Sequence, residues 1–353
     1  MPIDPIALTC QLVDIESTTY HEGPAGEFLA AYLSRLGWKV ERQAVAQPDP
    51  ARTPGCGTGD RFNVYAVPGE AETAPPIVFS THMDTVPPFL GACRQDATHL
   101  YGRGVCDAKG IVATQVAAAE RLRADGIAVG LLFVVGEERD SAGAAVANAD
   151  PRGSRFLVNG EPTENKLALA SKGALRVELR AHGRMAHSAY PELGESAIDK
   201  LLAALHDVQA LPLPMVEGIG DSTLNVGLIS GGRAPNVIAD AAEAHLLVRL
   251  VGPAAPIREA IVAAVRGRCE VEFSLELPFV QMRALPGFET MVAKFTTDIP
   301  SLTHWGEPFL LGPGSIHTAH TPQERIAKAD ILEAVELYVR LARQLSEQAS
   351  GTA

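Results

Sequence analysis

The chain has 353 residues, 46% of them hydrophobic, with 30 Lys and Arg against 42 Asp and Glu and a formal net charge of −12. This composition excludes a disordered polymer, and no apolar run approaches the roughly 20 residues that span a bilayer. The acidic balance, with no basic cluster able to track phosphates, argues against nucleic acid as a partner.

A chain of this length outgrows a single core, so two domains, or one domain carrying a large insertion, are expected. The N-terminus, MPIDPIALTCQLVDIEST, carries Asp4 and Asp14 and lacks both a basic segment and an uninterrupted apolar stretch, which predicts no secretory signal. Cys10, Cys56, Cys93, Cys106 and Cys269 form an odd set without CxxC spacing. That pattern predicts reduced thiols and a cytoplasmic location.

In chain order, Glu27 to Leu36 reads as an amphipathic helix closed by Gly37. Ile77 to Phe79, Val129 to Val135 and Phe156 to Val158 are short apolar runs of the kind shown by strands buried on both faces, and the Ala-rich stretch Val112 to Ala124 between the first two is helical. Strand, helix and strand in that order predict an α/β sheet with covered faces. The pattern changes near Gly173. Ala174 to Ala181 alternates apolar and charged residues, Ser196 to Leu211 is helical, Ser222 to Ile229 and Glu243 to Val251 are strands, Pro256 to Val265 is a helix, and Glu270 to Leu277 alternates again. This is β-α-β-β-α-β, the ferredoxin-like order. Phe309 to Leu311, followed by GPGS, reads as one more strand of the first domain, and Ile331 to Leu345 as a closing helix. The expected organisation is therefore an α/β domain, residues 1–172 and 280–353, with an inserted α+β domain at 173–279.

Polar residues able to bind metal recur just beyond the apolar runs: His82 and Asp84, Glu137 and Glu138, Glu161, and finally His317 and His320. Open α/β sheets bind ligands outside the carboxyl ends of their strands, so these groups can converge. Asp107, in YGRGVCDAKG, stands just ahead of the Val112 helix at the same edge. Each alone has an ordinary alternative: a strand-end histidine, an exposed Glu-Glu turn, a carboxylate favoured by a helix N-terminus, a surface histidine. Their joint placement points to chemistry. Histidine and carboxylate donors without cysteine suit catalytic zinc, with manganese or cobalt as substitutes, and a pair of ions about 3.5–4 Å apart needs a bridging carboxylate, for which Asp107 is the candidate. Asp84 is placed to accept a hydrogen bond from the His82 ring nitrogen that faces away from metal.

These residues resemble the di-zinc aminoacylases and exopeptidases, the family that includes acetylornithine deacetylase, succinyl-diaminopimelate desuccinylase and glutamate carboxypeptidase. STHMDTVPP resembles its first histidine-aspartate motif, YGRGVCDAKG its bridging-aspartate motif, VVGEERDSAG its paired-glutamate motif, VNGEPTE the next acidic ligand, and GPGSIHTAHTPQE its last motif. The resemblance implies two Zn2+ ions, or Co2+ or Mn2+ in their place. His82 and Glu161 would hold one, Glu138 and His320 the other, with Asp107 between them and Glu137 as general base. It also implies that the inserted domain is a lid and dimer interface, from which His187 in HGRMAHSAYPE reaches the partner's active site. Asn236 and Arg249 are implied substrate contacts, and the Gly312-Pro313-Gly314-Ser315 turn offers backbone N–H groups to a substrate carboxylate, with a plain glycine turn as the simpler account. Cys106 reads as a packed thiol. The expected function is hydrolysis of an N-acyl amino acid of acetylornithine, acetyl-lysine or succinyl-diaminopimelate type. The alternatives are a dipeptidase or carboxypeptidase of the same family, acting on short peptides, and a non-catalytic binding protein on this scaffold.

Overall fold

The computed structural model describes residues 3–53, 55–57, 59–71 and 73–350. The chain forms two compact units, one of residues 1–168, 282–291 and 297–353, the other of residues 169–281 and 292–296.

The first unit is built on a six-stranded mixed sheet. Its strands lie in the order Trp38–Val45, Arg61–Pro68, Gly130–Val134, Ile77–His82, Phe156–Asn159, Glu307–Leu310. The last four run parallel, while Arg61–Pro68 pairs antiparallel with Trp38–Val45 on one side and Gly130–Val134 on the other. Successive residues of the central strands enter different cores. Leu131 and Phe133 join Phe79, Val158 and the helices Lys109–Ala124 and Lys328–Ser350, whereas Leu132 and Val134 pack with Val78, Leu157, Trp305 and the short helix Ala142–Ala149. Burial on both faces is why these strands read as continuous apolar runs rather than as alternation. Each fully buried Leu, Val or Phe contributes roughly 1.5–3 kcal/mol, so the sheet centre is a rigid base for whatever follows its strand ends.

Helix Gly23–Arg35 ends as its sequence suggests, with Gly37 in the left-handed region at φ 84. Helix Lys109–Ala124 begins three residues earlier than its apolar pattern predicts, which sets Asp107 two residues ahead of its first turn. Helix Pro5–Val13, strands Trp38–Val45 and Arg61–Pro68, and helix Ala142–Ala149 are elements that the hydrophobic pattern does not reveal. Trp38–Val45 is an edge strand whose Lys39, Glu41 and Arg42 blur its periodicity.

In the second unit an antiparallel sheet has the order Thr223–Gly231, Ala241–Leu250, Gly173–His182, Glu270–Leu277. With helices Ala197–Gln209 and Ala255–Val265 it has the β-α-β-β-α-β order expected from the sequence. Leu175, Val177, Leu179 and Ala181 face the helices, and the intervening Arg176, Glu178 and Arg180 lie on the opposite face. Strand Thr223–Gly231 is a sheet edge, and it leaves Leu228 and Ile229 exposed.

One expectation is corrected. Cys10 and Cys93 form a disulfide with Cα atoms 5.2 Å apart, leaving Cys56, Cys106 and Cys269 as free thiols. Partners 83 residues apart carry no spacing signature, and the inference from five reduced thiols to a cytoplasmic location loses its basis. Among the described residues no helix is long and apolar enough to cross a membrane.

Candidate metal centre

His82 is the last residue of strand Ile77–His82 and pairs across the parallel ladder with Val134, so the loop after Gly130–Val134 begins beside it. Its ring is buried. Nδ1 lies 2.9 Å from the carbonyl oxygen of Asp84, and because a carbonyl only accepts, Nδ1 carries the proton. The other ring nitrogen, Nε2, faces outward to Asp107 Oδ1 at 3.0 Å.

The Asp84 carboxylate is also close to Nδ1, at 3.5 Å, though farther than its own main-chain carbonyl. Fully buried, it also holds the neighbouring loop. Oδ1 accepts the N–H groups of Gly136 (3.0 Å) and Glu137 (3.1 Å), and Oδ2 accepts the N–H of Glu138 (3.3 Å) and the hydroxyl of Thr19 (2.8 Å). Burial opposes ionisation of Asp84, but the hydrogen bond and charge of His82, with Thr19 and the Glu138 N–H, outweigh it and keep its pKa below the ordinary value.

Asp107 faces two imidazoles. Oδ1 meets His82 Nε2 at 3.0 Å and Oδ2 meets His320 Nε2 at 3.3 Å, while His320 Nε2 is also 2.9 Å from Glu138 Oε1. Donor atoms of His82, Asp107 and Glu138 all lie within 4.8 Å of one another. Glu161, after strand Phe156–Asn159, is buried, and its Oε1 has no hydrogen-bond partner. His317 is exposed and offers its N–H to Ser315 Oγ at 3.4 Å, so His320 is the histidine that joins the group.

Burial, then neighbouring carboxylates including Asp298, Glu138 and Asp107, raise the Glu137 carboxyl well above the usual range. Burial and then Glu137 do the same to Glu161, and burial raises Glu138. Burial opposes ionisation of Asp107 too, but His320 and His82 hold it well below the carboxylate range. His320, hydrogen-bonded to Asp107 and Glu138, is pushed up to about 10. For His82 burial works toward the neutral form, and the hydrogen bonds to Asp107 and Asp84 overcome it.

Such a group fits divalent cations on its chemistry. Several carboxylates share a desolvated site in which imidazoles are the positive partners, the donors are oxygen and nitrogen without thiolate, and Glu161 Oε1 has no hydrogen-bond partner.

Three supporting features escape pattern reading. Arg61, itself buried, pairs with buried Glu22 at 3.0 Å and stacks on Tyr20, and a Cβ at Gly136 would lie 2.6 Å from both its Nη2 and Asp140 Oδ1. Glycine is thus required where the Glu137 loop turns on the guanidinium, at φ 84. Asp298 is buried, and no hydrogen bond of good geometry reaches either oxygen, although Ser141 lies near. Glu324 is buried against the Asp107 loop. Each is a single charged residue outside any periodic pattern.

The Gly312–Ser315 turn is stitched to the Glu161 loop. Gly312 N–H donates to Thr163 Oγ1 (2.9 Å), Glu164 N–H to the Gly314 carbonyl (2.8 Å), and the Ser315 hydroxyl to Glu164 Oε1 (2.9 Å). At Gly314, φ is 81 and a Cβ would come within 2.5 Å of Cys106 Sγ, a buried thiol whose pKa burial pushes well up. In the second unit, exposed His187 bridges to Val237, and Ser188 N–H donates to the Asn236 carbonyl at 3.0 Å, so the segments bearing His187 and Asn236 run side by side. Arg249 lies on strand Ala241–Leu250, opposite Ala174, and burial lowers its pKa.

Comparison with known proteins agrees over nearly the whole length. A probable carboxypeptidase of Uncinocarpus reesii is 36% identical, the match covering 97% of this chain and 87% of the relative. A tripeptidase of Staphylococcus aureus superposes with a TM-score of 0.78 at 19% identity, covering 97% of this chain and 100% of that one. A dinuclear metal-binding peptidase of the M20 family from Bacillus subtilis superposes with a TM-score of 0.67 at 15% identity, covering 97% and 98%. The family described as Peptidase family M20/M25/M40 matches residues 78–344. The chain belongs to peptidase family M20/M25/M40.

Proposed function

We propose that this chain is a metal-dependent peptidase that releases the C-terminal residue of short peptides, as a carboxypeptidase or dipeptidase. This replaces N-acyl amino acid deacylation as the leading reading, because a relative matched over 97% of the chain is named a probable carboxypeptidase. The observation that carries a hydrolase is Asp107, whose two oxygens face one imidazole each.

On this reading His82, Glu161 and Asp107 would hold one divalent ion and Asp107, Glu138 and His320 the other, with zinc as the first choice and cobalt or manganese as substitutes. Bound ions of this kind lower the pKa of a water and polarise the scissile carbonyl. Glu137 accepts the proton of the attacking water and returns it to the leaving nitrogen. Asp84 fixes Glu137 and Glu138 through their backbone N–H groups, so the base and a ligand move as one piece.

The second unit is proposed as lid and dimer interface, a role supported by its exposed edge strand with Leu228 and Ile229 uncovered. His187 is proposed to reach the reacting carbonyl oxygen in the partner's active site, and Asn236 to donate to a substrate oxygen. Arg249, whose guanidinium has no hydrogen bond or ion pair among the described residues, is proposed to grip a substrate carboxylate.

The test is a panel of dipeptides, tripeptides, their C-terminal amides and N-acetyl amino acids, each assayed with zinc-, manganese- and cobalt-loaded protein. Hydrolysis of free-acid peptides that is lost on amidation supports the proposal. Preferential hydrolysis of N-acetyl amino acids returns the deacylase reading, and no turnover with any metal returns the binding protein.

A further inference from the structure

Asp107 and His320 are 213 positions apart in the chain, and their side chains meet at 3.3 Å. One residue joins the segments that carry them. Glu324, four residues beyond His320, is buried, and its Oε1 accepts the N–H groups of Gly104 (2.9 Å), Cys106 (3.1 Å) and Asp107 itself (3.2 Å). Its Oε2 accepts from Arg103 Nη1 at 2.6 Å. The main chain closes the clasp, with Gly102 N–H donating to the Glu324 carbonyl at 3.3 Å and Arg103 Nη1 to the Thr321 carbonyl at 3.4 Å. We infer that Glu324 is the positioning residue that sets the separation of Asp107 and His320, and with it the affinity of the metal ion those two side chains share.

The inference rests on the metallohydrolase reading above. A carboxylate is the side chain that can accept three converging N–H groups at one oxygen while pairing with a guanidinium at the other. Glutamine cannot do both. Whichever way its amide turns, an NH2 group faces either the three backbone donors or Arg103, and the loop must shift. His320 depends on the same contact because it sits at φ 61, in a turn whose Thr321 and Glu324 are held by the 102–107 loop. Both ions share Asp107, but the ion at His82 keeps His82 on its strand and Glu161 behind its own, neither of which Glu324 touches. The ion at His320 therefore loses more.

The experiment measures zinc uptake by the full-length, metal-free chain in competition with a chromophoric chelator, and it does not depend on turnover. The native protein takes up two equivalents. Glu324→Gln binds one equivalent about 10–100-fold more weakly and the other with a clearly smaller loss. His320→Asn weakens the same equivalent, and the double variant loses much less than the sum of the single losses, because both act on one site. Arg103→Gln, which removes a single donor to Glu324, shows a smaller loss at the same equivalent and serves if Glu324→Gln does not fold. Unchanged binding of both ions, or equal weakening of both, overturns the inference. A native chain that binds no zinc overturns the metallohydrolase reading instead.

Discussion

Replacing Glu137 with glutamine tests the proposed base with little collateral change. The main-chain N–H of residue 137 keeps its bond to Asp84 Oδ1, at 3.1 Å in the native chain, so the loop stays anchored and Glu138 stays in place. The side chain keeps its shape while losing one of the carboxylates that burial and mutual repulsion drive toward protonation. Metal binding is therefore expected to survive. What is lost is a proton acceptor, worth about 10²–10⁴ in rate, or about 3–5 kcal/mol of transition-state stabilisation. Steady-state kinetics on the best peptide of the panel, with metal content measured on the same sample, should show kcat reduced by that factor at unchanged metal stoichiometry. A kcat within about ten-fold of native, well short of general-base catalysis, would remove Glu137 from the role. Loss of metal would assign Glu137 to coordination.

Three further outcomes follow from the geometry. Asp84→Asn puts an NH2 group where Oδ2 accepts from Thr19 and Glu138 N–H, and losing a charged hydrogen bond here should lower unfolding free energy by about 1.5–3 kcal/mol and kcat with it; unchanged denaturant melts and kinetics would contradict this. Asp298, raised by burial from 3.8 to about 7, binds its proton more tightly in the folded chain than in the unfolded one. Stability of the metal-free protein should thus fall as pH rises from about 4 to about 7, by an order of a few kcal/mol, and Asp298→Asn should flatten that slope in melts run with chelator. An identical slope in the variant would refute it. Thiol titration of denatured, unreduced protein should find three reactive cysteines and, after reduction, five, whereas five at the outset would refute the Cys10–Cys93 pairing.

The sheet centre was legible because its strands are buried on both faces, so Ile77–Phe79, Val129–Val135 and Phe156–Val158 announce themselves as apolar runs and the polar residues after them mark one edge. Alternation likewise revealed the strand Gly173–His182, which has one face covered by helices. The edge strand Trp38–Val45 and the eight-residue helix Ala142–Ala149 left too little periodicity to read. Within the site, the spacing of Glu137, Glu138, His317 and His320 could not tell ligand from neighbour. Resemblance favoured Glu138 and His320, and these are the two that meet at 2.9 Å. The residues that hold the site in shape were invisible for a common reason. Glu22 meets Arg61 across 39 positions and Glu324 meets Arg103 across 221, and a single charged residue with a distant partner has no signature along the chain. A strand-end HxD triplet likewise does not show that a main-chain carbonyl will share the imidazole nitrogen with the Asp84 carboxylate.

If Asp107 bridges two divalent ions, anomalous diffraction at the zinc edge from crystals of zinc-loaded protein will show it. Two peaks about 3.5–4 Å apart are expected, one beside His82 Nε2 and Asp107 Oδ1, the other beside His320 Nε2 and Asp107 Oδ2. A single peak bound away from Asp107, or ions held by other residues, would contradict it.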